Sequence, residues 1–181
     1  MMRTEFTNAS LMPTFIALLR AVNVGGTGKL PMTDLARLCC KAGFENVKTY
    51  IASGNVVFDC NKSAPEIKAA LEASLKRYAG KPVGVVVRTG AEMAAVLEAN
   101  PFREAPPNRA VAIFLDAPPP RDTLDTISGQ QDEKVALGRR EIYVWYGEGM
   151  GRSKLRIPAA AQGTARNMNT VAKLAAIARR G

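Results

Sequence analysis

Between Phe15 and Val87 strand-sized apolar runs alternate with amphipathic helices in the order β-α-β-β-α-β, and this order constrains the fold most. Phe15 to Leu19 is an uninterrupted apolar run of strand length. Pro31 opens a helix with Leu35, Leu38, Cys39 and Ala42 at helical spacing, and Gly43 stops it. Val47 to Ala52 and Asn55 to Phe58 read as strands joined through Ser53-Gly54. Ser63 caps the next helix, Pro65 sits in its first turn, and Ile67, Leu71, Leu75 and Tyr78 line one face. Val83 to Val87 closes the series. The interleaved order predicts a ferredoxin-like, split β-α-β arrangement with that helix face buried against a sheet.

The second half opens on a capping box, Thr89-x-x-Glu92, for a helix buried through Met93, Val96 and Leu97 and ended by Asn100-Pro101. Ala110 to Leu115 reads as a strand and Arg121 to Ser128 as a short helix. Lys134 to Leu137 and Ile142 to Tyr146 form a hairpin turned at Gly138-Arg139-Arg140. Two helical pieces complete the chain. Strand, helix, hairpin and helix therefore recur, though no sequence repeat accompanies them. The expected class is α+β, with a flexible extension over 1–13, a ferredoxin-like subdomain over 14–88 and a second, similar subdomain over 89–181. Pro106-Pro107 and Pro118-Pro119-Pro120 are too short to be linkers, so the halves are expected to pack as one unit.

A chain of 181 residues buries enough surface to be stable without disulfides or metal. Its three cysteines include the adjacent Cys39 and Cys40 and show no metal or redox spacing, as expected of reduced thiols in a cytoplasmic protein. No apolar run approaches the roughly 20 residues of a membrane span. The first thirteen residues lack the continuous apolar stretch of a signal peptide. The chain has no histidine, which removes Ser-His and Cys-His catalysis and any histidine metal site. Asp34, Asp59 and Asp116 have no paired-carboxylate spacing. Lys29 or Lys154 would serve as a general base only with a pKa lowered by its surroundings. No catalytic residue, cofactor or metal ligand is assigned from sequence.

Charge is uneven. From Arg139 to Gly181 nine Lys and Arg face two Glu, so this stretch carries +7 of the total +9. Such asymmetry argues for an anionic partner of the C-terminal end.

Several segments resemble one family. They are Leu18-Leu19-Arg20-Ala21-Val22-Asn23-Val24-Gly25-Gly26, Pro31-Met32, Thr49 through Phe58, Gly151-Arg152-Ser153-Lys154-Leu155, and Thr164-Ala165-Arg166-Asn167 with Asn169-Thr170. In order and spacing they are similar to the bacterial domain-of-unknown-function family DUF1697, over nearly everything from Phe15 onward. Ala21 stands where that family often has Gly, and Met168 where it often has Trp. The resemblance implies an α+β fold and no activity.

The candidate site is argued from the residues themselves. Gly25-Gly26-Thr27-Gly28-Lys29 lies between a strand and a helix, where backbone N–H groups can hold an anion. It departs from the Walker pattern at Asn23 and Leu30, and a plain glycine turn is the reading favoured on this motif alone. Arg20 ends the strand beside it, as a ligand clamp or as a salt-bridged rim residue. Ser53-Gly54-Asn55 is either a turn or a polar group aimed at the glycine loop. In the last helix Met168, Val171, Ala175 and Ala178 share a face. Thr164 is the candidate N-cap, leaving Arg166 and Asn167 in the first turn. An arginine there opposes the helix dipole by about 0.3–1 kcal/mol, which calls for an anion or for Glu148 as partner.

Arg20, Asn23, Gly25, Gly26, Lys29, Ser53, Asn55, Arg152, Ser153, Lys154, Arg166 and Asn167 are therefore expected to converge on a cationic pocket for a small phosphorylated or carboxylated ligand. Arg152 and Arg166 would share one anion with the Gly25-Gly26 backbone, and alanine at either would weaken the ligand while leaving folding intact. The alternative is a nucleic-acid-binding module using the basic C-terminal surface. The aromatics Phe15, Tyr50 and Phe58 lack the glycine-aromatic signature of an RNA recognition motif.

Overall fold

The computed structural model describes residues 11–23 and 28–180, so most of the expected extension over 1–13 and all of Gly25-Gly26 lie outside the described residues. The first sheet is built from β1 (Thr14–Leu19), β2 (Glu45–Tyr50), β3 (Asn55–Asp59) and β4 (Val85–Thr89). Two helices interrupt it, α1 (Met32–Lys41) and α2 (Ala64–Ala79). All pairs are antiparallel and the order is β2-β3-β1-β4. β1 is central and buried on both faces, so its sequence shows no polar alternation. β2 is an edge strand with an irregular register between Glu45 and Lys48, which blunts the edge.

Two strands, β2 and β4, are displaced by two residues from expectation. β2 begins at Glu45 rather than Val47, because its exposed polar start carries no apolar pattern. β4 runs from Val85 to Thr89 rather than from Val83 to Val87, because Arg88 and Thr89 pair with Ile16 and Phe15. The α2 face holds: Ile67, Leu71 and Leu75 are buried, and Ser63 and Glu66 complete a capping box. Tyr78 departs from it and is 44% exposed.

The second half contains α3 (Gly90–Ala99), β5 (Ala110–Phe114), β6 (Lys134–Leu137), β7 (Glu141–Trp145), β8 (Thr164–Asn167) and α4 (Met168–Arg179). Its sheet is again antiparallel, in the order β6-β7-β5-β8. Rank for rank this repeats the first sheet, and a helix follows the fourth strand in each. Where the first half has α1 and α2, the second has 3-10 turns at Thr123–Thr126 and Pro158–Gln162. The helix expected over Arg121 to Ser128 is thus a single turn, since only Thr123 of Thr123–Thr126 is buried and no side chain caps it. Thr164 does not cap the last helix. It begins β8, and the Asn167 Oδ1 accepts the Thr170 N–H at 3.0 Å instead.

Three apolar clusters follow from this layering. Phe15, Ala17, Leu19, Val56 and Phe58 face α1 and α2. Ile16, Leu18, Val57 and Val86, from the opposite face, pack with α3, α4 and the inner face of the second sheet. Val111, Ile113, Ile142 and Val144 form the outer face of that sheet, covered by Leu155 and Ile157. The helices α3 and α4 are therefore sandwiched between two sheets.

Two buried arginines tie the sheets together at equivalent positions, each just before the residue that caps the following helix. Arg88 of β4 reaches the second sheet. Its guanidinium donates to the Leu115 carbonyl at 2.7 Å and to the carboxylate of Glu141, the first residue of β7, at 3.1 Å. Arg166 of β8 reaches the first sheet and donates to the Leu19 carbonyl and to the side chain of Asn55, the first residue of β3. The registers Leu18↔Asn55 and Phe114↔Glu141 make the two acceptors equivalents. One clamp is ionic and the other neutral.

Cys39 faces the first core, and burial, reinforced by Cys40, pushes its thiol up to about 12. Cys60 is also buried, whereas Cys40 is exposed. A thiolate-selective reagent at neutral pH should therefore modify Cys40 alone of the three thiols in the native protein, and all three in denaturant. Rapid native modification of two, read by mass spectrometry, would mean that the packing of α1 is wrong.

Candidate functional site

Where β1 ends, the chain turns sharply through Ala21 (φ 48°) and Asn23 (φ 54°). Asparagine tolerates the left-handed region because its short side chain can bond nearby backbone. Here the Asn23 Nδ2 donates to the carbonyls of Leu30 (2.9 Å) and Ala52 (2.8 Å), and its Oδ1 accepts the Leu30 N–H at 2.7 Å. Asn23 thereby closes the loop onto itself and onto the β2–β3 turn. Gly54 in that turn (φ 82°) lies against Leu19 and Val22, where a Cβ would collide with both.

Arg166, Asn55 and Ser53 do converge. The Asn55 Oδ1 accepts Arg166 Nε–H at 2.5 Å, and its Nδ2 donates to the Ser53 Oγ and the Tyr50 carbonyl, both at 2.9 Å. The remaining Arg166 donors go to Thr164 Oγ1 and to the carbonyls of Ala165, Leu19 and Ser53 at 2.7–3.0 Å. A guanidinium has five N–H donors, and all five are used on neutral oxygens. Burial pulls the Arg166 pKa down to about 10, so the group stays charged at neutral pH at a desolvation cost. It is a structural clamp with no donor left for an anion. Glu148 is not its partner either, because among the described residues no carboxylate pairs with Arg166.

The surroundings of Arg152 give the shared anion no support either. Arg166 pairs in register with Ala112 and so lies on the inner face of the second sheet. Arg152 ends the 3-10 turn Met150–Arg152, and the following Leu155 packs on the outer face. The segment is stitched to 128–133 by the Ser128–Arg156 bridge and by the Ser153 Oγ, which donates to the Glu133 carboxylate. That bond holds the Glu133 carboxyl below its usual range. Arg152 and Lys154 are exposed, Ser153 is a loop fastener and Asn167 is a helix cap.

The predicted residues that line a cavity are Arg20 and Lys29. A space of about 500 Å³ lies between the Arg20–Val22 and Gly28–Leu30 segments, the end of α2 and the Lys81–Gly84 approach to β4. Among the described residues its charged lining groups are Arg20, Lys29 and Lys81, with no carboxylate. Val22, Leu30, Leu75, Pro82 and Val83 supply apolar walls. Arg20 is held at the rim, donating to the carbonyls of Ala161 (2.7 Å) and Gly163 (3.3 Å) and to Gln162 Oε1 (3.0 Å). The Tyr78 hydroxyl donates to Asp34 at 2.6 Å, which raises its pKa and fixes the ring as a wall. Sequence reading missed Lys81 and Tyr78. The signal was present, because the split β-α-β order puts the start of β4 beside the end of β1. Among the described residues no group of three or more Cys, Asp or Glu is placed to hold a metal ion.

A family model described as a protein of unknown function (DUF1697) matches residues 12–143. The segments 151–155 and 164–170 lie beyond that match. No curated protein matches the sequence. The chain is similar to the solved structure of conserved bacterial protein SP0830 from Streptococcus pneumoniae, at 23% identity and a TM-score of 0.74, covering 92% of this chain and 99% of that one. At that identity the likeness is one of fold alone.

Proposed function

We propose that this chain, which belongs to the DUF1697 family, binds a small anionic ligand with an apolar body in the cavity beside Arg20. One observation carries the reading: among the described residues, the charged lining groups of a cavity of about 500 Å³ are Arg20, Lys29 and Lys81, with no carboxylate in the lining. The volume lies in the range of small-molecule sites, and the apolar walls favour a ligand larger than free phosphate. Arg20 is pre-positioned by the 161–163 carbonyls, while Lys29 and Lys81 are exposed and free to close on a phosphate or carboxylate. No catalytic group is assigned. The β2-β3-β1-β4 order supports the ferredoxin-like reading of 14–88, with 89–181 as the second subdomain. A reduced, cytoplasmic setting fits the free thiols.

The nucleic-acid reading is weakened, because Arg166 is enclosed and Arg140 pairs with Glu92 at 2.7 Å. Calorimetric titration with nucleoside monophosphates, sugar phosphates and aromatic carboxylates, beside a short oligonucleotide, tests the two readings together. A Lys29→Gln/Lys81→Gln variant should lose ~10- to 100-fold in affinity for the best small anion with no change in its ligand-free melting temperature. Unchanged affinity would remove the cavity from consideration, and tight oligonucleotide binding falling steeply with salt would favour the alternative.

A further inference from the structure

The guanidinium of Arg20 is held in place without being neutralised. Its acceptors, the carbonyls of Ala161 (2.7 Å) and Gly163 (3.3 Å) and the Gln162 Oε1 (3.0 Å), are all neutral, and no carboxylate pairs with it among the described residues. Among those residues three of its five N–H donors are used and two remain. Gly84 makes room for this placement. A Cβ there would stand 2.9 Å from the Arg20 Cδ, so the arginine stem lies directly against the backbone that leads into β4. Arg166, by contrast, spends every donor on the protein, and Arg88 faces the carboxylate of Glu141.

Lys29 and Lys81 line the same cavity, both exposed and neither paired with a carboxylate among the described residues. Asp34, an acid in contact with the lining, is taken up by the Tyr78 hydroxyl and by Arg37 at 2.8 Å. A single negative charge placed among three such cations would leave two of them uncompensated, and a dianion leaves one. Three cations also match the three terminal oxygens of a phosphoryl group, where a carboxylate offers two. The Tyr78 ring, with Leu30, Leu75 and Pro82, supplies an apolar wall for the rest of the ligand. Resting on the reading of this cavity as an anion site, we infer that its ligand is a phosphomonoester dianion with an apolar ester group. The phosphoryl oxygens meet Arg20, Lys29 and Lys81 and the ester group lies against Tyr78. Gln162 is a positioning residue that sets this preference, because its amide holds Arg20 without cancelling the charge.

Phenyl phosphate and phenyl sulfate separate charge from shape. Both present three terminal oxygens on a phenyl ester, but at pH 8, above a second ionisation near about 6, the phosphate alone is a dianion. In calorimetric titration phenyl phosphate should bind at least ~10-fold more tightly than phenyl sulfate and than inorganic phosphate. Gln162→Glu puts a carboxylate where the amide oxygen now accepts from Arg20, and should raise the Kd for phenyl phosphate by ~10-fold or more. Gln162→Ala loses the same bond without adding a charge and should raise it less. Gln162 is exposed, so both variants should keep the parent melting temperature. Equal Kd values for phosphate and sulfate, both weakened in Lys29→Gln/Lys81→Gln, would leave the anion site standing and overturn the dianion. An unaltered Kd in Gln162→Glu would overturn Arg20 as the seat of the phosphoryl group, and inorganic phosphate binding as tightly as phenyl phosphate would overturn the ester. No binding of any of the three up to ~10 mM would overturn the inference and the anion site together.

Discussion

Replacing Arg166 with alanine is expected to destabilise the ligand-free protein by about 3–4 kcal/mol, a drop in melting temperature of ~10 °C. The side chain satisfies acceptors on both sheets: Leu19 and Ser53 carbonyls and Asn55 Oδ1 on one, Thr164 Oγ1 and the Ala165 carbonyl on the other. Each acceptor left buried and unpaired costs about 1–3 kcal/mol, and relief of the guanidinium's desolvation offsets part of the sum. Arg166→Lys keeps the charge but brings three donors where five are used, so it should recover less than half of the loss. Urea melts of the two variants without added anions decide the point. If Arg166 served only to hold a ligand, both would melt like the parent and differ only in ligand response.

Arg88→Met should cost more, about 3–5 kcal/mol, because it strands a charge rather than neutral oxygens. Glu141 is buried, and after the substitution its carboxylate keeps only the Arg140 backbone N–H, at 3.0 Å. The cation also stacks 5.6 Å over the Phe114 ring, an attraction that the uncharged methionine cannot replace. Removing both charges in Arg88→Met/Glu141→Leu should restore most of the stability, since an apolar pair in place of a buried ion pair is often neutral or better. A double-mutant cycle in urea measures the coupling directly. A double variant no more stable than Arg88→Met would mean that Arg88 acts through its bonds to the Leu115 and Arg140 carbonyls, not through the ion pair.

The equivalence of these clamps was hidden from the sequence because they share only an arginine followed by a helix cap, Arg88-Thr89 and Arg166-Asn167. Their acceptors, Glu141 and Asn55, differ in charge, and each is more than fifty positions from its arginine.

Sequence by itself determined the elements whose causes are local. The capping boxes at Ser63 and Thr89 need only a hydroxyl and a glutamate three residues on, and the buried face of α2 needs only apolar residues at helical spacing. The uninterrupted run Phe15 to Leu19 announced a strand covered on both faces. The convergence of Arg166 with Ser53 and Asn55 was also legible in outline, as was the place of Arg20 and Lys29 near the loop after β1. Only the tertiary structure decided that Arg166 is enclosed and Arg152 is not. The two look alike in the chain, each a cation in a glycine-bounded segment. Burial, however, depends on which sheet faces which: the inner face of β8 meets the first sheet across α3 and α4, and the outer face meets short turns and solvent. Lys81 joins Arg20 because β4 pairs with β1, a pairing implied by the order of the elements along the chain and not by the local pattern of either segment.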